Sequence, residues 1–174
     1  MLWVLRDSIC QLGFGSSPEI RLREGAGSDM EITTSRFGTL AVQPSDILTF
    51  DQGLIGLRAC RRWVVLADAH NAALGWLQSI DEPEFALGVV SPRRFVPDYQ
   101  LRIARQELAP LQLVAAADAQ VVVIVSRHPE GLALNLRAPL VINVDGRKGR
   151  QVIAKDPLPV RLILPTDGEM RLTA

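Results

Sequence analysis

The chain has 174 residues, 48% of them apolar and 22% charged, with 19 Lys+Arg against 19 Asp+Glu. Those proportions suit one folded domain with a substantial core, and they exclude a disordered chain or two large domains. The charge balance leaves no basic excess to meet a phosphate backbone, so no direct contact with nucleic acid is expected.

The opening Met1-Leu-Trp-Val-Leu5 is apolar, but Arg6 and Asp7 end it too soon for a signal-peptide core, and no Ala-x-Ala cleavage site follows. Gly13, Gly15, Pro18, Gly25 and Gly27 then interrupt any apolar period, so residues 1–29 read as a flexible N-terminal extension. A strand-like pattern rich in β-branched residues opens at Met30, which makes Met30 the expected start of the native protein and residues 1–29 untranslated; an intact mass decides it. Residues 30–174 are the expected domain.

From Phe37 onward the chain reads as short strands bounded by Gly, Pro, Asp or Asn: 37–42, 47–50, 63–66, 74–80, 85–90, 119–126, 132–136, 140–143, 151–154 and 160–164. The expected fold is all-β and mainly antiparallel, a small β-barrel-like domain with one short helix over Ile103–Leu111, which Pro110 limits to a turn or two. His128-Pro129-Glu130-Gly131 marks a hairpin turn, and a second hairpin is expected through Asp145 to Gly149. Leu132, Leu134 and Leu136 alternate with Ala133, Asn135 and Arg137, which predicts one buried and one wet face. Trp63 and Trp76 lie in apolar strands and read as core anchors, while Gly53 and Gly56 suit backbone turns. No uninterrupted apolar run reaches the roughly 18 residues of a membrane-spanning helix.

Motifs for chemistry are scarce. There is no nucleotide-binding glycine fingerprint, no zinc-protease pair and no nucleophile elbow. The two cysteines, Cys10 and Cys60, provide neither a disulfide framework nor a metal site, and they fit a reducing, cytoplasmic setting. Asp68 and His70 have the spacing of an orienting carboxylate and its base on one strand face, yet the surrounding alanines suit a solvated loop better. Asp81, Glu82 and Glu84 around Pro83 form an acidic turn that suits plain solvation without a partner and contact with a basic partner equally well. No catalytic residue, cofactor site or metal site is expected.

Read from Met30 to about Leu164, the sequence resembles the FliW family of bacterial flagellar assembly factors. The stretch Ile47-Leu-Thr-Phe50-Asp-Gln-Gly53-Leu-Ile-Gly56-Leu57 looks like the family's F-x-x-G-L-x-G-F block, with Leu57 where the family prefers Phe. Trp76-Leu-Gln-Ser-Ile-Asp81-Glu-Pro83-Glu-Phe85 resembles its W-L-Q-S-x-D-x-P segment, followed by Pro92 and Pro97-Asp98-Tyr99. Asn135-Leu-Arg-Ala-Pro139 through Asn143, then Arg147, Gly149 and Gln151, is similar to its N-L-x-A-P block. Lys155-Asp-Pro-Leu-Pro159 lacks the Tyr usual in the family at this point.

The resemblance implies a protein that is not an enzyme. Such a protein binds flagellin in the cytoplasm and antagonises the translational repressor CsrA by direct contact, coupling flagellin translation to its secretion. Gln78, Ser79, Asp81, Pro83, Glu84, Pro97 and Asp98 are the expected partner surface, with Asn135, Asn143, Arg147 and Gln151 as a second polar set. Side-chain to backbone bonding explains that second set equally well. The alternative is a flavin-binding split-barrel oxidoreductase, since small barrels of this size host such cofactors.

Overall fold

The computed structural model describes residues 2–5 and 30–165. Among them the strands are β1 (Leu2–Leu5), β2 (Met30–Thr34), β3 (Gly38–Val42), β4 (Ile47–Thr49), β5 (Arg62–Ala67), β6 (Leu74–Ser79), β7 (Ala86–Val90), β8 (Leu101–Ala104), β9 (Ala119–His128), β10 (Gly131–Leu134), β11 (Leu140–Asn143), β12 (Lys148–Gln151) and β13 (Leu162–Pro165). The helix α1 spans only Arg105–Leu108 and runs into a 3-10 turn over Ala109–Leu111.

Seven strands close a barrel in the order β11, β12, β4, β5, β6, β7, β9, with β9 returning to β11. Each neighbouring pair is antiparallel except β4 with β12, which meet in parallel at the single register pair Lys148↔Thr49. Beyond the ring, β10 continues from β9 and β13 from β10. The hairpin β2–β3 and the pair β1–β8 form two separate small sheets.

The Val121-Val-Val-Ile-Val125 run on β9 has no polar face because both of its faces are covered. Val122 joins Leu48, Phe50, Trp63, Leu77, Val89, Leu140 and Ile142 in one cluster, and the strands that contribute these residues identify it as the barrel interior. Val121, Val123 and Val125 point the other way, into a second cluster with Leu101, Ile103, Leu108, Leu111, Leu132 and Leu134. Near-continuous apolar runs are what a strand buried on both faces requires. Trp63 is fully buried and Trp76 is 6% exposed, so both are core anchors.

Several elements differ from expectation. Ile103 belongs to β8 rather than a helix, since Leu101 and Ile103 alternate with exposed Arg102 and both enter the outer cluster. The second hairpin turns earlier than expected: Arg147 takes a positive φ of 51°, its N–H bonds the Val144 carbonyl, and β12 begins at Lys148 instead of Gln151. On β10 the supposed wet face is partly buried, with Ala133 5% exposed, because β9 and β13 flank the strand. Within the expected N-terminal extension, Leu2–Leu5 pair antiparallel with β8, and residues 6–29 lie outside the described residues. Gly53 and Gly56 do sit in turns, with φ of 64° and 86°.

Candidate functional site

The expected surface begins at the turn between β6 and β7, and much of it is structural. Gln78 and Ser79 are fully buried. The Gln78 amide donates to the carbonyls of Ser79 (2.9 Å) and Pro83 (3.0 Å), while its Oε1 is buried without a partner among the described residues. The Ser79 hydroxyl accepts the Glu82 N–H. These bonds close the turn from within, as polar residues do where the backbone leaves its ladder.

Asp81 fastens that turn to the start of β5. One carboxylate oxygen accepts the N–H groups of Arg61 and Arg62, each at 2.7 Å, and the other accepts the Arg62 Nε at 2.7 Å. Partial burial raises the carboxyl's pKa, but the Arg62 amide and guanidinium and the Arg61 amide outweigh it and hold the carboxyl below its ordinary value. Glu82 and Glu84 stay exposed, so the acidic turn presents two carboxylates outward and spends the third inward.

The loop from Asp51 to Arg61 carries the connection onward. Its Ile55 N–H donates to the Gln151 Oε1 at 2.8 Å, and the Gln151 amide reaches the Ala138 carbonyl at 3.1 Å. The Asn135 Oδ1 in turn accepts the Ala138 N–H. Gln151 and Asn135 are thus joined through Ala138, and Asp81 and Gln151 hold the two ends of the same 55–61 loop segment. Asn143 belongs elsewhere: its amide donates to the Leu111 carbonyl and its Oδ1 accepts the Gly146 N–H, which shapes the β11–β12 turn that also holds exposed Arg147. Pro97 and Asp98 lie exposed in the connection from β7 to β8, beside buried Tyr99, whose hydroxyl donates to the Leu136 carbonyl.

The polar residues expected to meet partners are therefore mostly engaged with the protein's own backbone, whereas exposed apolar side chains stand among them. Ile55 is 64% exposed and Ile153 46%. Gln151, which holds Ile55, precedes Ile153 by two residues, and buried Val152 points inward between them. Phe85 is also exposed, at the end of the acidic turn. A signal for Ile153 was present in the sequence, as a large apolar residue in phase with Gln151 on a polar face.

Asp68 and His70 do not form a catalytic pair. Asp68 accepts the backbone N–H groups of His70 and Asn71 and the Trp76 indole N–H at 2.8 Å. Burial raises its pKa, and these bonds, the Trp76 one foremost, outweigh it and lower the value. The guanidinium of Arg36, on the β2–β3 turn, lies 3.8 Å from the Trp76 ring centroid, and Phe37 meets the same ring edge-on at 5.9 Å. Sequence reasoning missed this assembly, since its members are far apart in the chain. No group of three metal-ligating side chains occurs among the described residues. Nor is any helix among them long and apolar enough to cross a membrane.

The model of the FliW protein family matches residues 31–163. The chain belongs to the FliW family. The FliW flagellar assembly factor of Bdellovibrio bacteriovorus is 35% identical over 129 residues, 73% of this chain and 74% of the relative. That of Magnetococcus marinus is 32% identical over 146 residues, 82% of this chain and 90% of the relative. A crystal structure of the flagellar assembly factor FliW is similar with a TM-score of 0.67 at 29% identity, covering 73% of this chain and 90% of that one. The FliW match includes the whole closed barrel and leaves β1 outside it.

The lowered pKa of Asp81 carries a stability prediction. A carboxyl whose folded pKa lies below its unfolded value stabilises the fold above the unfolded pKa, and that contribution is lost as pH falls through the folded one. Asp81→Asn is expected to cost about 1.5–3 kcal/mol at pH 7, the range for hydrogen bonds to a charged group. The gap should narrow below the ordinary value of 3.8. Urea unfolding between pH 7 and pH 2.5 checks this, and a gap constant across that range would contradict it.

Proposed function

We propose that this chain is a cytoplasmic flagellar assembly factor that binds flagellin and antagonises a CsrA-type translational regulator by direct contact, coupling flagellin translation to secretion. The observation that carries the reading is the exposed pair Ile55 and Ile153, set around Gln151 in a FliW barrel whose interior is filled by side chains. A protein with a filled interior works from its surface, and apolar residues at a polar rim suit an amphipathic segment of a partner. Flagellin supplies such segments in its terminal regions before assembly. Glu82 and Glu84 offer negative charge to the basic surface of an RNA-binding regulator.

The reading is of a binding protein rather than an enzyme. Trp63, Phe50, Leu54, Leu77, Leu140 and Ile142 fill the barrel interior, so the three-ring cofactor of the flavin alternative would have to bind outside it. Partner exchange then works by mass action, with flagellin lowering the free pool available to the regulator and secretion restoring it.

Calorimetric titration of the full chain with purified flagellin and with the regulator, followed by competition, tests the reading. Saturable binding of both, with one weakened by the other, is expected. Silence of the folded chain towards both would overturn it. Ile153→Asp is expected to weaken flagellin binding at least tenfold while the chain stays folded, since a charge replaces an apolar contact of about 1.5–3 kcal/mol. Unchanged affinity would move the flagellin contact away from this surface.

A further inference from the structure

β8 is held in place by one face and one edge. Leu101 and Ile103 are fully buried in the outer cluster, and the Lys155 N–H donates to the Arg102 carbonyl at 3.1 Å. Arg102 also pairs with Asp156 at 3.4 Å. Along a strand the N–H and C=O of one residue point to one side and those of the next to the other. With Arg102 turned towards Lys155, the backbone groups of Leu101 and Ile103 face the opposite edge. The strand on that edge is β1, in the register Trp3↔Ile103 and Leu5↔Leu101.

β1 is a separable cover for that edge. It lies outside the part of the chain that the FliW family shares, which begins at residue 31 and includes β8. It pairs with no other strand among the described residues, and residues 6–29 tether it to β2. The part of the chain that matches the family therefore contains a strand, β8, whose outer edge is covered by β1 alone among the described strands, and an open strand edge is a template for another extended segment.

We propose that the free edge of β8 is a strand-addition site, and that β1 is its tethered, displaceable occupant. The ligand class is an extended peptide of β-favouring apolar residues like Leu2-Trp-Val-Leu5. It gains the Leu101 and Ile103 backbone bonds when β1 leaves. Closure by β1 is intramolecular, so β1 excludes weak or dilute competitors and yields to strong ones. This goes beyond flagellin and regulator binding and does not depend on either.

The test uses the full chain, a Trp3→Pro/Leu5→Pro variant and a fluorescent peptide of residues 1–7. Proline has no N–H, so the variant removes both β1 donors that face β8. The labelled peptide is expected to bind the variant saturably and the unaltered chain at least tenfold more weakly. The same peptide with proline at both positions should bind neither. Amide exchange supplies a second readout: the Leu101 and Ile103 N–H groups should lose protection in the variant and regain it when the peptide is added. Absence of peptide binding to the variant, equal binding to both chains, or unchanged protection of these two amides would each overturn the proposal.

Discussion

Trp63→Ala is expected to destabilise the chain by about 3–5 kcal/mol, the range for deleting a buried large aromatic side chain. Trp63 is fully buried in the barrel interior, where it packs with Phe50, Leu77, Leu140 and Ile142. Its register partners are Leu48 on β4 and Ser79 on β6, so it sits between two of the strands that close the ring. The indole N–H also donates to the Cys60 carbonyl at 3.1 Å, where the chain enters β5. Alanine removes both the volume and the donor, and a closed barrel collapses poorly onto the space left. For a chain of this length the loss corresponds to a fall in Tm of about 6–20 °C. Trp63→Phe should cost clearly less, since it keeps an aromatic ring and loses only the donor and part of the volume. Urea unfolding of both variants checks the order, and equal losses would place the energy in the Cys60 bond rather than in packing.

Gly149→Ala is expected to cost about 2–3 kcal/mol, even though it adds a single methyl group in an extended strand. A Cβ at Gly149 would lie 2.2 Å from the Phe50 Cζ and 2.4 and 2.6 Å from two neighbouring ring carbons. The glycine is required by space, since its φ is not in the left-handed region. The ring cannot yield easily, because Phe50 is 1% exposed and belongs to the interior cluster. β12 has to move instead, and it holds β4 at one register pair, with Gln151 reaching across to Ile55 beyond it. The methyl group therefore acts on the seam that closes the barrel. Phe50→Leu in the same chain removes the ring atoms that clash, so the double variant should be more stable than the sum of the two single losses predicts. Coupling of about 1 kcal/mol or more by a double-mutant cycle is the expected result. Strict additivity would mean that the clash is relieved in some other way.

How legible each feature was follows from how local its cause is. β11 was read at Leu140–Asn143 and found there, since an apolar run bounded by Pro139 and a turn carries its own punctuation. The turn at His128 to Gly131 was equally plain. The sequence reads Ile103 as the start of a helix, because Leu101 and Ile103 make too short an alternation to stand out until Lys155 and β1 are seen along the edges of β8. The sequence places β12 at Gln151, three residues after its start at Lys148, because glycine at 149 reads as a turn residue until Phe50 is known to press against it.

The candidate surface was legible as positions but not as uses. The sequence marks Gln78, Ser79, Asp81 and Gln151 as polar residues in a distinctive pattern, and a pattern alone does not say whether a side chain faces a partner or its own backbone. The structure directs Asp81 to Arg61 and Arg62, and Gln151 to Ile55 and Ala138. It leaves Ile55, Ile153 and the Glu82–Glu84 pair outward.

By itself, the sequence determined the all-β class, most strand positions, the two tryptophan anchors and the resemblance to FliW, all of which rest on local alternation, turn residues or short motifs. Closure of the ring through β9–β11 and β4–β12, the buried uses of the polar residues and the edge of β8 taken by β1 were decided only in the tertiary structure. Each depends on hydrogen bonds between residues distant in the chain, and the local pattern of either partner does not specify the other.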